Sequence, residues 1–313
     1  LKLISGPSIK LIESINPAAQ GYLGGMGLPI IFSWFVGGIL SAGVAYVIGK
    51  ICLGLRSDYL AISTLLISGI IVSVIKHEEW LSRGVKNVIG LKRPAPYEVN
   101  LQNSEWFINL IEAIHFWGPA TKDVIISSSG IFVKLCFTII FTITLLALLF
   151  LSERAVNSPW GRMMRAIRDN ETAAKAMGKN IVKQQLNIFM IGSAIIGFAG
   201  AMLVTYDGLF TPSSYQPLRY TFLIWVMVLL GGSGNNYGSI LGGFAVWFIW
   251  IESAPVALFL INSFTFFLDY SNPIRLHLIE SVPYFRYLMM GIGLLLVMRY
   301  KPEGLLPEKK ISF

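Results

Sequence analysis

The chain has 313 residues, of which 54% are hydrophobic and 13% are charged. Soluble domains carry about 25% charged residues, so this composition excludes an ordinary soluble globular protein. The net charge of +8 raises the possibility of nucleic-acid binding. The mean hydropathy of +0.65 argues against that class, because basic residues also collect in the cytoplasmic loops of membrane proteins. We therefore expect one all-α domain over residues 1–313, built as a polytopic bundle of transmembrane helices.

Seven apolar runs predict membrane segments, because a spanning helix needs about 20 mostly apolar residues. The shortest run, 218–230, is the weakest prediction, and a re-entrant segment is its alternative. The run at 185–206 is rich in Gly and Ala, which favours close packing inside the bundle. In chain order the runs are 27–49, 59–75, 130–151, 185–206, 218–230, 238–260 and 284–298.

The orientation of these segments follows from the charge of the loops. The loop 152–184 holds seven basic and three acidic residues. Lys and Arg accumulate on the cytoplasmic side of a membrane. The loop 152–184, the turn 50–58 and the tail after Met298 are therefore predicted to be cytoplasmic. The loop 76–129 is then extracytoplasmic, and its charges nearly balance.

A cytoplasmic helix is predicted within the loop 152–184. Ser158 can cap the first free N–H groups, and Pro159 suits the first helical position. Gly178 can take the left-handed conformation that ends a helix. One helix of about five turns is expected between these signals. Glu171, Ala174 and Gly178 share a face of it, where one acid and two small residues allow a partner to approach closely.

This segment resembles the "EAA" loop of ABC importer permeases, which has the form E-A-A-x-x-x-G and docks in a groove of an ATPase subunit. The matching stretch is ETAAKAMG at 171–178, and the surrounding RAIRDNETAAKAMG is similar to LivM-type branched-chain amino acid permeases. Three further stretches, in the same order as in that family, are also similar to it. They are LRSDYLAISTL at 55–65, GGSGNNYGSILGG at 231–243 and FRYLMMGIGLLLVMRYKPEGLL at 285–306.

The resemblance implies the permease subunit of an ABC importer in the bacterial inner membrane, which moves branched-chain amino acids and performs no bond chemistry. Urea or short amides are the alternative cargo. The implied partners are ATPase subunits holding ATP and Mg²⁺, a second LivH-like permease and a periplasmic substrate-binding protein. No catalytic residue, metal, cofactor or nucleic acid is expected in this chain. The residues implied to contact the ATPase are Arg165, Arg168, Glu171, Ala173, Ala174 and Gly178.

The resemblance begins near residue 40 and covers the chain to about residue 310. The family's first helices and its "GxxGQxSxGH" segment have no counterpart upstream. The chain begins at Leu1, and no signal peptide precedes the first apolar run. We therefore expect N-terminal helices to be missing from this sequence.

The glycine-rich stretch GGSGNNYG, at 231–238, lies between two apolar runs. It lacks the Lys-Ser/Thr ending of a phosphate loop. A tight turn between helices is favoured by its two Asn residues. The alternative is a break in a membrane helix that exposes backbone groups to the substrate. The turn would use Gly231, Gly232, Gly234, Gly238, Gly242 and Gly243 for close packing, whereas the break would make Gly231, Gly232 and Gly234 pathway residues.

Glu252 is the single acid inside a long apolar run. A charge at the bilayer centre costs roughly 2.5–3.5 kcal/mol, so an edge position is favoured over a place in the pathway. Pro255 predicts a kink or an end of the helix nearby.

Two other functional classes are weighed on the same residues. A secondary transporter would need several ionisable groups in the membrane centre, and Glu252 is the one candidate found. A membrane enzyme would need a cluster of polar catalytic residues at a bilayer edge. The three histidines are scattered and the cysteines have no metal or disulfide spacing; these residues are His77, His115, His277, Cys52 and Cys136.

Overall fold

The computed structural model of the chain describes residues 26–78, 88–89, 91–114, 121–211, 217–266, 269 and 272–308. Within these ranges the chain is almost entirely helical. Six helices are long and apolar enough to cross a membrane, and a shorter apolar helix accompanies them. The prediction of an all-α polytopic membrane protein is confirmed. By its internal contacts the chain divides into two compact units, Leu1–Tyr215 and Gln216–Phe313.

The first unit holds four of the six long helices, α1, α2, α5 and α8, and two short strands. Its elements are α1 (Ile30–Cys52), α2 (Ser57–His77), β1 (Val88–Ile89), α3 (Glu98–Gln102), α4 (Glu105–Ile114), α5 (Lys122–Asn157), α6 (Pro159–Asp169), α7 (Glu171–Ala176), α8 (Ile181–Asp207) and β2 (Leu209–Phe210).

Helices α1 and α8 form the most extensive packing contact of the first unit. The buried indole N–H of Trp34 donates to the hydroxyl of Thr205 at 2.9 Å. The hydroxyl of Ser41 donates to the backbone carbonyl of Ser193 at 2.8 Å. A methyl group at Gly197 would lie 2.5 Å from the Cβ of Ser41, so the two backbones can approach only because this residue is glycine. The close packing predicted for the run 185–206 is confirmed at this contact.

Helix α5 is much longer than the predicted run 130–151. It has 36 residues, which rise about 54 Å, well beyond the roughly 30 Å of a hydrocarbon core. Hydropathy marked only its apolar centre, whereas the backbone hydrogen bonds continue into polar turns at both ends. Short helices α3 and α4 pack on its N-terminal part around the buried side chains Leu101, Phe107 and Val133.

The end of α8 is tied to the loop that follows α2. Gly208 closes α8 in the left-handed conformation, with φ of +65°. Directly after it, β2 pairs antiparallel with β1, with Val88 opposite Phe210 and Ile89 opposite Leu209. The predicted extracytoplasmic loop therefore contains ordered structure anchored to a membrane helix.

The second unit consists of α9 (Pro217–Gly231), α10 (Asn236–Phe264), α11 (Pro273–Glu280) and α12 (Val282–Tyr300). Helices α9, α10 and α12 enclose a core of apolar side chains. This core contains Leu223, Val226, Leu230, Val246, Trp250 and Met290.

Two predictions concern helices of the second unit, the effect of Pro255 on α10 and the span of α9. Helix α10 runs through Pro255 to Phe264, so an end of the helix at this proline is wrong. Proline is tolerated inside membrane helices, because neighbouring helices and small local adjustments satisfy the backbone group that the missing N–H leaves free. Helix α9 has 15 residues, which rise about 22 Å, less than a full hydrocarbon core. Whether it spans the membrane completely stays a prediction.

The outer faces of the long helices are apolar. Ile39 in α1 is 69% exposed, Phe244 in α10 is 67% exposed and Leu295 in α12 is 70% exposed. Exposing apolar side chains of this size to water is unfavourable in free energy, whereas contact with lipid carries no such cost. The surface thus has the character of a membrane-embedded protein.

Candidate functional site

The predicted cytoplasmic helix begins where its sequence signals placed it. The Ser158 hydroxyl accepts the N–H of Gly161 at 3.2 Å and donates to the carbonyl of Ala155 at 2.6 Å. Pro159 occupies the first turn of α6. A methyl group at Gly161 would collide with the carbonyl of Val156, so the chain turns sharply here from α5 into α6. The start signal is confirmed.

The prediction of one five-turn helix is wrong, because the segment breaks at Asn170. This residue has φ of −153° and ψ of 96°, which is extended rather than helical. Its side-chain oxygen accepts the N–H of Ala173 at 2.9 Å and so caps a second helix, α7. Asn competes with the helical backbone for hydrogen bonds and favours exactly this capping position.

Helix α7 ends at the predicted glycine. Gly178 has φ of +73°, in the left-handed region, and its N–H donates to the carbonyl of Lys175 at 3.0 Å. Asn180 then caps α8 by accepting the N–H of Lys183 at 3.1 Å. The segment 158–180 is therefore a pair of short helices with a defined cap at each boundary.

Two arginines of α6 hold the preceding membrane helix. Arg165 donates to the carbonyl of Val156 at 3.2 Å, and Arg162 donates to the carbonyl of Asn157 at 3.3 Å. These carbonyls belong to the C-terminal turn of α5, where cations are favoured. Sequence reasoning assigned Arg165 to a partner and did not foresee this contact within the chain.

The other implied coupling residues lie on the surface of α6 and α7. Glu171, Ala173 and Gly178 are exposed, and Ala174 is half-buried. Arg168 is also exposed and forms an ion pair with Asp169 at 3.1 Å. No methyl group added at Gly178 would meet another atom of the described chain within 4 Å. This face has room for a partner.

A cleft of about 530 Å³ runs beside this face, between α6 and the membrane helices α5 and α8. Its lining is mostly apolar and includes the charged residues Arg165, Arg168 and Glu171. It is lined by Val156, Trp160, Gly161, Met164, Arg165, Ile167, Arg168, Glu171, Gln185 and Ile188.

The stretch 231–238 is a tight turn between α9 and α10, as favoured from the sequence. Gly232 and Gly234 have φ of 118° and 94°, and the Asn235 side chain accepts the N–H groups of Tyr237 and Gly238 at 3.0 and 3.3 Å. Gly231, Gly232 and Gly234 lie at this turn and pack closely there. A role for them in the substrate pathway stays a prediction.

The C-terminal segment closes over this turn. The N–H groups of Leu305 and Leu306 donate to the carbonyls of Leu230 and Gly231, both at 2.9 Å. A methyl group at Gly232 would collide with the carbonyl of Leu306. Two stretches of the family resemblance, 231–243 and 285–306, thus meet at one point.

The packing role expected of the glycines holds for most of them and is wrong for one. A methyl group at Gly242 would collide with the carbonyl of Met227, and one at Gly231 with the carbonyl of Gly238. Gly243 has no described atom within 4 Å of its added methyl position. It points away from the α9–α10 contact because it is one residue, about 100°, further around the helix.

Glu252 lies on the exposed side of α10. It is two residues beyond the buried Trp250, about 200° around the helix, so it faces away from α12. It lies 16 residues after Asn236, which corresponds to about 24 Å along the axis. Its expected place near a membrane edge stays a prediction.

Sequence reasoning missed a second charge within a membrane helix. Arg286 lies in α12 with its guanidinium carbon 5.5 Å from the ring centre of Trp250. Its Nε is buried without a hydrogen-bond partner in the described structure. Glu252 is therefore not the single ionisable candidate. The sequence does show this Arg, four residues after the start of α12. It was overlooked because the aromatic residues on both sides of it make the segment apolar on average.

A further arginine joins α11 to α10 near the end of the latter. Arg275 is 5% exposed and donates to the side-chain oxygen of Asn262 at 3.0 Å. Burial of a cation is costly, so this contact fixes α11 against α10.

The residues considered for metal or redox chemistry lie apart. Cys52 is buried and Cys136 half-buried, both as free thiols. His77 ends α2 and His277 lies in α11, whereas His115 falls outside the described residues. Among the described residues, no three His, Cys, Asp or Glu side chains are grouped so that they could hold a metal ion.

Comparison with known proteins gives a consistent result. Residues 17–298 match the family described as the permease component of branched-chain amino acid transport systems. The chain is 29% identical, over 98% of its length and 76% of the relative, to a probable branched-chain amino acid transport permease LivM of Methanocaldococcus jannaschii.

Two bacterial relatives are high-affinity branched-chain amino acid transport permeases LivM. The chain is 25% identical to that of Salmonella typhimurium over 86% of its length, and 24% identical to that of Escherichia coli over 87%. It spans 56% of the length of each. No solved structure matches the chain. The chain therefore belongs to the family of branched-chain amino acid transport permeases and is a multi-pass protein of the inner (plasma) membrane.

Proposed function

We propose that this chain is the membrane subunit of an ABC importer that carries branched-chain amino acids and is driven by a separate ATPase subunit. The family membership and the names of the relatives support this proposal. The observation that carries it is the face shared by Glu171, Ala174 and Gly178, on which Glu171 and Gly178 are exposed and Ala174 is half-buried, in a segment with a cap at each helix boundary. An ATPase groove can approach this face at Gly178, where an added methyl group meets no described atom within 4 Å.

Coupling requires that movement of α7 reaches the membrane helices. Helix α6 is joined to the end of α5 by Ser158, Arg162 and Arg165. Helix α7 leads within four residues to the Asn180 cap of α8. A displacement of this segment by the ATPase would therefore be transmitted to α5 and α8.

The shift between the two conformations of the permease would follow from a difference in docking energy. A partner shifts a two-state protein only by binding one state better than the other. ATP and Mg²⁺ would be held by the ATPase, a second permease would complete the pathway, and a substrate-binding protein would deliver the cargo. This chain supplies the path and the contact that couples it to ATP.

The cargo is tested by uptake into vesicles that hold the assembled transporter with ATP inside. We expect ATP-dependent uptake of labelled leucine and no uptake of labelled urea, with vesicles lacking this chain as the control. Uptake of urea without leucine would contradict the cargo but leave the importer function intact. Failure of both, with the complex assembled, would contradict the importer function.

A further inference from the structure

Helix α4, the ten-residue helix Glu105–Ile114, has three kinds of surface at separate angles around its axis. At about 100° per residue, Glu105, Asn109 and Glu112 fall in one exposed polar sector. Phe107 and Ile111 fall in a second sector, which packs into the apolar core on α5. The third sector is apolar yet exposed, with Trp106 56%, Leu110 39% and Ile114 67% accessible.

An ordinary surface helix needs only two such sectors, one for the core and one for water. The exposed apolar sector of α4 is centred about 80° from the buried sector and about 130° from the polar sector. A third sector that is apolar and uncovered fits a helix in contact with protein, water and lipid at once. The surface of a bilayer, beside a membrane-embedded protein, provides that environment.

The depth of α4 can be read from α5. The first charged residue after the apolar run of α5 is Glu153, so its neighbour Ser152 marks one membrane boundary. Twenty residues at 1.5 Å each span the roughly 30 Å hydrocarbon core and place the other boundary near Phe132. The ring of Trp106 contacts Phe132 with a centroid distance of 6.0 Å, and Phe107 contacts it at 5.5 Å.

The same boundary is supported by the residues beside Phe132. Ile131 and Leu135 of α5 are 59% and 54% exposed, so the apolar sector of α4 continues an apolar surface of the membrane helix. Lys134 is exposed at this level, where its long side chain can reach the headgroups. Trp is enriched at this depth, because its ring is apolar and its N–H is polar.

We propose that α4 is an interfacial helix that binds the lipid surface of the extracytoplasmic leaflet through Trp106, Leu110 and Ile114. The polar sector faces water and the Phe107 sector holds the helix on α5. The occupant of the apolar sector is lipid, because that sector is level with the bilayer boundary and continuous with the apolar surface of α5. This contact fixes the height of the predicted extracytoplasmic loop above the membrane.

The test uses spin labels on single cysteines in the full chain, assembled in lipid nanodiscs, with Cys52 and Cys136 replaced by alanine. A label at Leu110→Cys reports the apolar sector, and Glu112→Cys is the matched control in the polar sector. We expect the first to be relaxed several-fold more by oxygen than by a water-soluble nickel complex, and the second to show the reverse. Access of nickel to position 110 would overturn the proposal, as would shielding from both reagents, which indicates a covering protein.

A second measurement leaves the native cysteines in place. The difference in emission between the wild type and Trp106→Phe isolates the Trp106 signal in lipids brominated at known depths. Bromine near the headgroups should quench this signal several-fold more than bromine near the chain ends. A signal that no brominated lipid quenches would contradict the lipid contact.

Discussion

At the scale of single residues, two neighbouring glycines of α10 differ in what surrounds them. A methyl group at Gly242 meets the backbone carbonyl of Met227, which cannot move without displacing α9. Gly242→Ala should lower the free energy of unfolding by about 1–3 kcal/mol, the usual cost of overpacking. The decrease would be measured as a lower melting temperature in detergent.

Gly243→Ala is the matched control, because the same methyl group one residue away meets open space. It should leave the melting temperature unchanged or raise it slightly, since Ala is favoured over Gly in a helix by roughly 0.5–1 kcal/mol. Equal destabilisation by both substitutions would show that the close α9–α10 contact is not as described.

Single residues also show where sequence reasoning stops. The glycine-rich turn was favoured from its composition, but the sequence gives no sign that Leu305 and Leu306 close over it from the other end of the unit. Gly243 was grouped with its neighbours because spacing alone does not say which helix faces meet. The contact between Arg286 and Trp250 was not foreseen because the two residues lie 36 positions apart on different helices.

At the scale of elements, the boundary between α6 and α7 depends on Asn170. Asn170→Ala removes the acceptor for the N–H of Ala173, and the loss of such a cap costs about 0.5–2 kcal/mol. Hydrogen exchange across 171–176 should therefore become faster. Asn170→Asp keeps an acceptor at the same place and should retain the protection of the wild type.

If Asn170→Ala does not speed up hydrogen exchange across 171–176, the result contradicts the helix break. Unchanged or slower exchange would indicate one continuous helix between Ser158 and Gly178, as their start and stop signals predicted.

The elements of this segment were partly predictable. Ser158-Pro159 and Gly178 are local signals whose effect depends on the chain within one turn, and both act as expected. The break at Asn170 also depends on local sequence. It was not predicted because the residues on both sides of Asn170 favour a helix. The length of α5 was underestimated, since α3 and α4 support its polar first turns by packing.

At the scale of the whole molecule, hydropathy and loop charge were enough to predict a multi-pass membrane protein. A segment that spans the hydrocarbon core must be a long apolar helix. The number and approximate bounds of such helices can therefore be predicted from hydropathy along the sequence. The ordered structure after α2 was not foreseen, because it depends on pairing between β1 and β2, which lie 120 residues apart. The cargo has no local signature in this chain.

The central claim is that the segment 158–180 couples this subunit to an ATPase. Gly178→Trp adds a large side chain at a position where an added Cβ meets no other described atom within 4 Å, and its φ of +73° adds local backbone strain. The control is Gly54→Trp, in the predicted cytoplasmic turn after α1, where the added atom also has open space. Both variants would be compared in the purified and reconstituted complex with its ATPase subunits.

The most direct measurement is the stimulation of ATP hydrolysis by substrate in these complexes. We predict that Gly178→Trp abolishes most of the stimulation, whereas Gly54→Trp retains that of the wild type. An assembled Gly178→Trp complex that is stimulated as strongly as the wild type would contradict the assignment of this segment as the coupling contact.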